Sequence, residues 1–307
     1  MTNGPAQRGV AVVLAMLVVA LAASTATYLL WAQSLWLRQV ENLVARAQAD
    51  SIARAATQWA TAILAEDDPS VDHLNETWAH RLPAMPVEGA TLTGAITDEQ
   101  AKFNINNLVR GAAPSPADVA VLQRLLGLVG LPVTLTDAIV DWIDPDDTVT
   151  QAAGAEDLDY LAREPAYRAP NRALADVGEL ARVKGMTPEA LARLVPHLTA
   201  LPDETPVNVN TASATVLLAV MPSLSAAEAA RLVEERGRKP FRGLEDFQRA
   251  LPRAGSTQID GPIDVKSRFF SAEATVHVGR VTAGYRALIE RGERGRSVII
   301  SLTQILP

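Results

Sequence analysis

The sequence predicts an α+β fold: one long N-terminal helix packed on a small antiparallel sheet, with a large all-α insertion in that sheet. Three observations predict it. Val10 to Leu37 (VAVVLAMLVVALAASTATYLLWAQSLWL) holds no Asp, Glu, Lys, Arg or His, and helical spacing continues beyond it. Strand-like alternation occurs near residues 89–106 and again over 269–302. Between the two lies a stretch with helix starts and stops instead of alternation.

A run of about 20 apolar residues in helix crosses the hydrocarbon core of a bilayer, so Val10 to Leu37 crosses it with residues to spare. Apolar positions then recur at Trp36, Val40, Val44, Ala47, Ile52, Ala55, Trp59 and Ile63, at helical steps. Asp67-Asp68-Pro69 ends the pattern, because proline disfavours helix in the residue before it. The expectation is one helix of roughly 55 residues and about 80 Å that starts in the membrane and ends in water.

Three arrangements share this pattern. A cleaved signal peptide has candidate sites at Ala22-Ala23-Ser24 or Ala26, but the apolar run continues through Tyr28 to Trp31 and the helix continues in phase. A plain single-span anchor is the second. The third rests on Arg8-Gly9, which stands directly before the apolar run at the end of the polar leader Met1–Gly9. That pair resembles the type IV prepilin signal, which implies cutting between Gly9 and Val10 on the cytoplasmic side and a retained helix. The fifth mature position is then Leu14, where pilin-like proteins usually carry Glu to neutralise a neighbour's N-terminal amine. A buried unpaired ammonium is costly. A subunit with Leu14 therefore suits a place with nothing above it, the tip of a fibre.

Composition narrows the classes. The 307 residues suffice for an anchor plus one or two domains. The formal charge of −7 argues against general nucleic-acid binding. Cysteine is absent, which excludes disulfides, thiolate nucleophiles and zinc–thiolate or iron–sulfur sites. His73, His80, His197 and His277 are scattered and form no metal-spaced pair.

Along the chain, a loop-rich segment follows Pro69 to about Pro86. Gly89–Thr97 and Ala101–Asn106, joined by a turn at Asp98-Glu99-Gln100, are expected to form a hairpin. Ser115-Pro116-Ala117-Asp118 marks a helix start, and a second helix begins near Thr136. Further helices are expected over Ala173–Val183, Thr187–Leu198, Ala214–Val220 and Ala226–Arg236. A short internal repeat matches Pro170 to Val177 with Pro240 to Phe247 through its Pro, Arg, Leu and Asp. Strands return at Phe269–Val278, Val281–Glu290 and Ser297–Leu302.

Between Asp137 and Tyr160 lie Asp137, Asp141, Asp144, Asp146, Asp147, Glu156, Asp157 and Asp159, with no Lys, Arg or His among them. Crowded carboxylates repel unless solvent or a cation compensates. Oxygen-only donors suit Ca²⁺, which takes about six to eight oxygens, better than Mg²⁺ with its strict octahedron. Asp144-Pro145-Asp146-Asp147 and Glu156-Asp157 would close on an ion from both ends, with Gly154 turning the chain between; Asp141 and Asp159 complete the candidate set. The spacing is not that of an EF-hand. A solvated acidic loop is the plain alternative.

Taken together, these stretches resemble the minor pseudopilin K family of type II secretion. The resemblance is carried by Gln7-Arg8-Gly9 with its apolar run, Trp36-Leu37-Arg38 and Glu41-Asn42. It continues through Lys102 to Leu108 (KFNINNL), Asp141 to Asp147 (DWIDPDD), Gly154-Ala155-Glu156-Asp157 and Tyr160. Val183-Lys184-Gly185 and Val207 to Ala212 (VNVNTA) complete it. It implies a pilin-like core with a helical insertion and one or two bound Ca²⁺ ions. It also implies a tip complex with the minor pseudopilins I and J, processing by prepilin peptidase, and a single-pass inner-membrane protein with a periplasmic C-terminal domain. The implied division is a leader (1–9), a transmembrane section (10–37), the pilin-like helix and first strands (38–106), an inserted helical domain (107–260, as 107–205 and 206–260) and C-terminal strands (261–307).

Parts of the sequence fit two other classes. Val209 to Ser213, Arg236, Pro240-Phe241 and Leu244-Glu245-Asp246 also resemble a helix-hairpin-helix DNA-binding module, the basis for an anchored DNA receptor. Such a hairpin needs glycines that bare N–H groups to phosphate; here it is Met221-Pro222-Ser223-Leu224-Ser225, with serine at both places. An enzyme is the other class, but no Ser-His-Asp grouping, nucleophile elbow or phosphate loop stands in the sequence, and no catalytic residue is expected.

Overall fold

The computed structural model describes residues 5–252, 257–292 and 296–305. Helix α1 runs unbroken from Pro5 to Glu66. It begins inside the expected leader, of which Met1 to Gly4 lie outside the described residues. Its 62 residues span roughly 90 Å at 1.5 Å per residue. No residue of its most apolar window is buried within the chain. Thr25 and Thr27 donate their hydroxyls to the carbonyls of Leu21 and Ala23 at 2.8 Å. These hydroxyls stay satisfied when hydrocarbon surrounds the helix.

The second half of α1 lays an alanine-rich stripe on a five-stranded sheet. Strands β1 (Leu82–Val87), β2 (Ala90–Asp98), β3 (Phe269–Val278), β4 (Val281–Arg291) and β5 (Ser297–Ile305) follow one another in that order across it. Every neighbouring pair is antiparallel. Ala49 and Ala53 pack with Leu92, Val276 and Ala283. Ala60 and Leu64 pack with Phe270, Ala287 and Ile289. The helix therefore runs along the strands, in the same direction as β4.

The expected hairpin of 89–97 with 101–106 does not form. β2 pairs instead with β1, through a turn at Glu88 and Gly89, both at positive φ. Pro83 and Pro86 hide β1 from a strand search, yet proline is tolerated on an edge strand because no ladder donor is needed there. Beyond β2, Asp98 accepts from the Gln100 N–H and Asn104 from the Asn106 N–H. These side chains close two single-turn 3₁₀ helices, Glu99–Ala101 and Ile105–Leu108, where alternation suggests a strand.

The inserted block is helical, as expected. It contains α2 (Pro116–Leu128), α3 (Leu135–Ile143), α4 (Asp157–Leu161), α5 (Pro188–Leu194), α6 (Ala214–Val220), α7 (Ala226–Arg238) and α8 (Leu244–Ala250). Ser115 caps α2 by accepting from the Asp118 N–H, with Pro116 at the first helical position. Leu122, Leu125 and Leu126 join Ile139, Trp142, Val216, Leu217 and Phe247 in one buried cluster. The helix expected over Ala173–Val183 is only a 3₁₀ turn, Val177–Arg182, opened by an Asp176–Glu179 capping box. Before it, the Leu174 N–H and C=O are both taken by the Asn106 side chain, so they cannot enter a helix.

The block has two parts built on one device. Phe103–Asn104 pairs in parallel with Leu198–Thr199, and Val207–Asn208 with Ile263–Asp264. Asn-x-Asn follows in each. Asn104 and Asn208 close the turn onto Asn106 N and Asn210 N. Asn106 then clasps both backbone groups of Leu174, and Asn210 those of Phe241.

A buried polar junction ties this head to the stalk. Arg291, at the end of β4, donates to Asp72 at 2.6 Å and to Asp67 at 3.0 Å. The Ser267 N–H donates to Asp72 at 2.7 Å. Asp98, at the end of β2, accepts from Thr211 (2.6 Å), Ser267 (2.7 Å) and Asn208 (3.0 Å). Asp72 and Arg291 are almost fully buried. Removing one member of such a pair strands the other charge, at a typical cost of about 3–5 kcal/mol. Arg291→Met is expected to lose stability on that scale in thermal denaturation of the detergent-solubilised chain, and adding Asp72→Asn to restore part of it. An Arg291→Met melt that overlays the wild type would show that the junction is not a structural tie.

Candidate metal centre

The acidic loop begins where α3 ends. The Asp144 N–H closes the last turn on Val140 O (2.9 Å), and Pro145 cannot extend the helix. This buries Asp144, 1% exposed, against the head. The chain loops out and returns through Gly154 and Glu156, the latter 5% exposed. Asp141, one turn earlier on α3, anchors the loop. Its carboxylate accepts from Thr150 N (3.1 Å) and Ala155 N (2.8 Å). A Cβ on Gly154 would lie 2.1 Å from that carboxylate, so only glycine fits this close approach.

Carboxylate oxygens of Asp144, Asp146 and Glu156 all lie within 4.8 Å of one another. Asp147 is joined to them through Asn171, which donates to Asp147 Oδ1 (2.9 Å) and to Asp146 O (2.7 Å). The other candidates are engaged elsewhere. Asp141 holds the loop backbone. Asp157 pairs with Arg168 at 2.6 Å and accepts from Ala169 N. Asp159 pairs with Lys184 at 2.8 Å. Among the described residues, Asp144 Oδ1, both Glu156 oxygens and Asn171 Oδ1 are buried with no hydrogen-bond partner. Asn171 is absent from the sequence-based set. Its signal was the Pro170-Asn171-Arg172 step of the internal repeat, and its φ of 45° marks a special backbone position.

The electrostatics follow from this crowding. Burial, then the charges of Asp141, Asp144 and Asp147, push Glu156 up to about 7. Burial, then Asp146 and Asp141, push Asp144 up to about 6. Convergent orphaned oxygens with no cationic side chain among them make an arrangement that a hard divalent cation would satisfy. A second acidic group, Asp67, Asp72 and Glu76, does not have this character. Arg291 satisfies the two aspartates, and Glu76 accepts from His73 N and Trp78 Nε1.

In the ion-free chain the folded state holds protons on Glu156 and Asp144 that the unfolded chain releases near pH 4. Between about pH 4.5 and 7 the folded state is the more protonated, so its stability falls as pH rises through that window. With chelator present, the melting temperature is expected to drop between about pH 5 and pH 8, and Glu156→Gln to remove part of the drop. Equal drops in both chains would disconnect the loop from the effect.

In the segment that resembles a DNA-binding hairpin, N–H groups at the start of α7 are already taken by side chains. Ser225 and Glu228 cap each other at the start of α7, with Ser225 N donating to Glu228 at 2.8 Å. A carboxylate thus occupies the place a phosphate would need.

Comparison with known proteins agrees with the protein K resemblance and leaves the DNA receptor without support. Two family models described as type II secretion system, protein K match residues 101–203 and 207–266. The type II secretion system protein K of Pseudomonas aeruginosa is 34% identical, over 94% of this chain and 90% of that protein. The Klebsiella pneumoniae protein K is 33% identical, over 95% of each. The fold is similar to a chain of the GspK-GspI-GspJ complex from the type 2 secretion system of enterotoxigenic Escherichia coli. The TM-score is 0.73 at 23% identity, covering 90% of this chain and 99% of that one. By sequence along nearly its whole length, the chain belongs to the type II secretion system protein K family.

Proposed function

We propose that this chain is a minor pseudopilin that caps the tip of a periplasmic pseudopilus and aids its assembly for export of folded proteins. The observation that carries this reading is the position of the head. The inserted block joins the sheet at the end of β2, the start of β3 and the end of β4, where α1 also ends. The stalk helix thus leads from the apolar run straight to the underside of a broad head, whose bulk opposes stacking of a further subunit. Leu14 fits the same place, since it offers no carboxylate to a subunit above.

On this reading the Val10–Leu37 section sits in the inner membrane before assembly and in the fibre afterwards, with the head in the periplasm. Prepilin peptidase cuts between Gly9 and Val10, which are exposed on the membrane end of α1. The partners are the I- and J-type minor pseudopilins, as in the complex to which the fold is similar. The chain carries no catalytic step. The division into a leader, stalk, two-part head and closing strands is retained from the sequence.

Calcium belongs to the same proposal. Asp144, Asp146 and Glu156 would hold the ion, Asp147 and the Asn171 carbonyl oxygen would complete its shell, and the ion would neutralise the loop's repulsion. Millimolar Ca²⁺ is expected to raise the melting temperature, by more at about pH 8 than at about pH 5, because protons compete for Glu156. Asp144→Asn should shrink the shift. Identical melts in Ca²⁺ and chelator would remove the ion from the proposal.

N-terminal sequencing tests the processing step. Chain isolated from membranes should begin at Val10 in cells with prepilin peptidase and at Met1 in cells without it. Met1 in both would leave a plain anchor, and a start near Thr25 would mean a cleaved signal peptide.

A further inference from the structure

The two edges of the sheet differ in kind. β1 carries Pro83 and Pro86, which deter a further strand. β5 has neither proline nor charge over Ser297–Ile305, and among the described residues no strand pairs with its outer side. Val298 is 60% and Ile300 44% exposed. Its one irregularity is Ile300, an extra residue between the partners of Leu288 and Ile289. A nine-residue uncharged edge of this kind is a pairing template that a protein normally blunts or occupies.

A second copy of this chain does not fit the edge. α1 runs along the strands, so antiparallel pairing of two β5 strands would point the two Val10–Leu37 sections in opposite directions, which one membrane cannot hold. A parallel pair about an axis along the strands would set the same residues' N–H groups level with each other, and the slanted bonds of a parallel ladder do not allow that. A copy displaced sideways would offer β1 and its prolines.

Height narrows the occupant further. Ile305 pairs with Gly284, beside the Ala283 that packs with Ala49, and Ser297 pairs with Arg291, which holds Asp67. The edge therefore stands from roughly 18 Å to 45 Å beyond Leu37 along the stalk. It lies under the head, on the membrane side. Cargo arriving from above meets the head first. A chain anchored in the same membrane and standing alongside reaches the whole edge.

We infer that β5 is a docking edge for an extended, largely uncharged segment of another pilin-like subunit, added as a sixth strand. This rests on the minor-pseudopilin reading. Main-chain hydrogen bonds would supply the affinity, and Val298 and Ile300 the side-chain selectivity.

The test uses the full-length chain co-expressed in membranes with its I- and J-type partners and extracted in detergent. A photo-crosslinking residue at Val298 is expected to join one of those partners. Ile300→Lys is expected to lower partner co-purification about tenfold with an unchanged melting temperature, since a lysine on an edge opposes strand addition. Undiminished co-purification with Ile300→Lys overturns the inference while leaving the pseudopilin reading intact. A Val298 crosslink only to a second copy or to a secreted protein does the same. Wild-type chain that brings down neither partner overturns that reading, and the inference with it.

Discussion

The structure depends on a buried polar junction at one end of the sheet. The inserted block leaves the sheet after β2 and returns before β3, so both chain crossings between sheet and head lie in one small region. That region is filled by Asp72, Arg291, Asp98, Asn208, Thr211 and Ser267, linked in one hydrogen-bonded network in which Ser267 bridges the Asp72–Arg291 pair to Asp98. Its groups must stay paired, because an unpaired buried carboxylate or guanidinium is costly. The buried Asp98 illustrates the strain: burial pushes its carboxyl up to about 6 even with donors around it.

The same logic recurs within the head at smaller scale. The Asn-x-Asn turns use amide side chains as substitutes for backbone partners, and each clasps a segment far along the chain. Arg236, buried and with no carboxylate partner among the described residues, donates to the carbonyls of Val209 and Ala212 and ties the second such turn to α7. Short helices are marginal alone. These clasps, together with the leucine-rich cluster between α2, α3 and α6, hold them.

The acidic loop inverts that economy. Its oxygens converge with too few donors, so the ion-free loop is held by the surrounding fold against its own repulsion. Asp141 and Gly154 shape the loop, while Asp144, Asp146 and Glu156 face one another. The division between shaping and facing residues was not legible from spacing. Asp141, Asp157 and Asp159 carry the same carboxylate group as the others, and only their partners Thr150, Ala155, Arg168 and Lys184 separate them.

What the sequence alone determined are the features written in local periodicity and caps. The apolar run and its in-phase continuation specify α1, and Ser115-Pro116 and Thr187-Pro188 mark helix starts found in place. The strands β3, β4 and β5 appear where alternation set them. Tertiary structure decided whatever rests on contacts between distant residues. It paired β2 with a proline-bearing edge, turned 99–108 into two capped 3₁₀ turns around a two-residue parallel strand and withheld a helix from Ala173–Val183 because Asn106 took Leu174. It also brought Asn171 to the acidic loop. The physical reason is the same in each case. Period and propensity are properties of neighbouring residues, whereas the partner of a buried polar group is settled only when the chain has closed on itself.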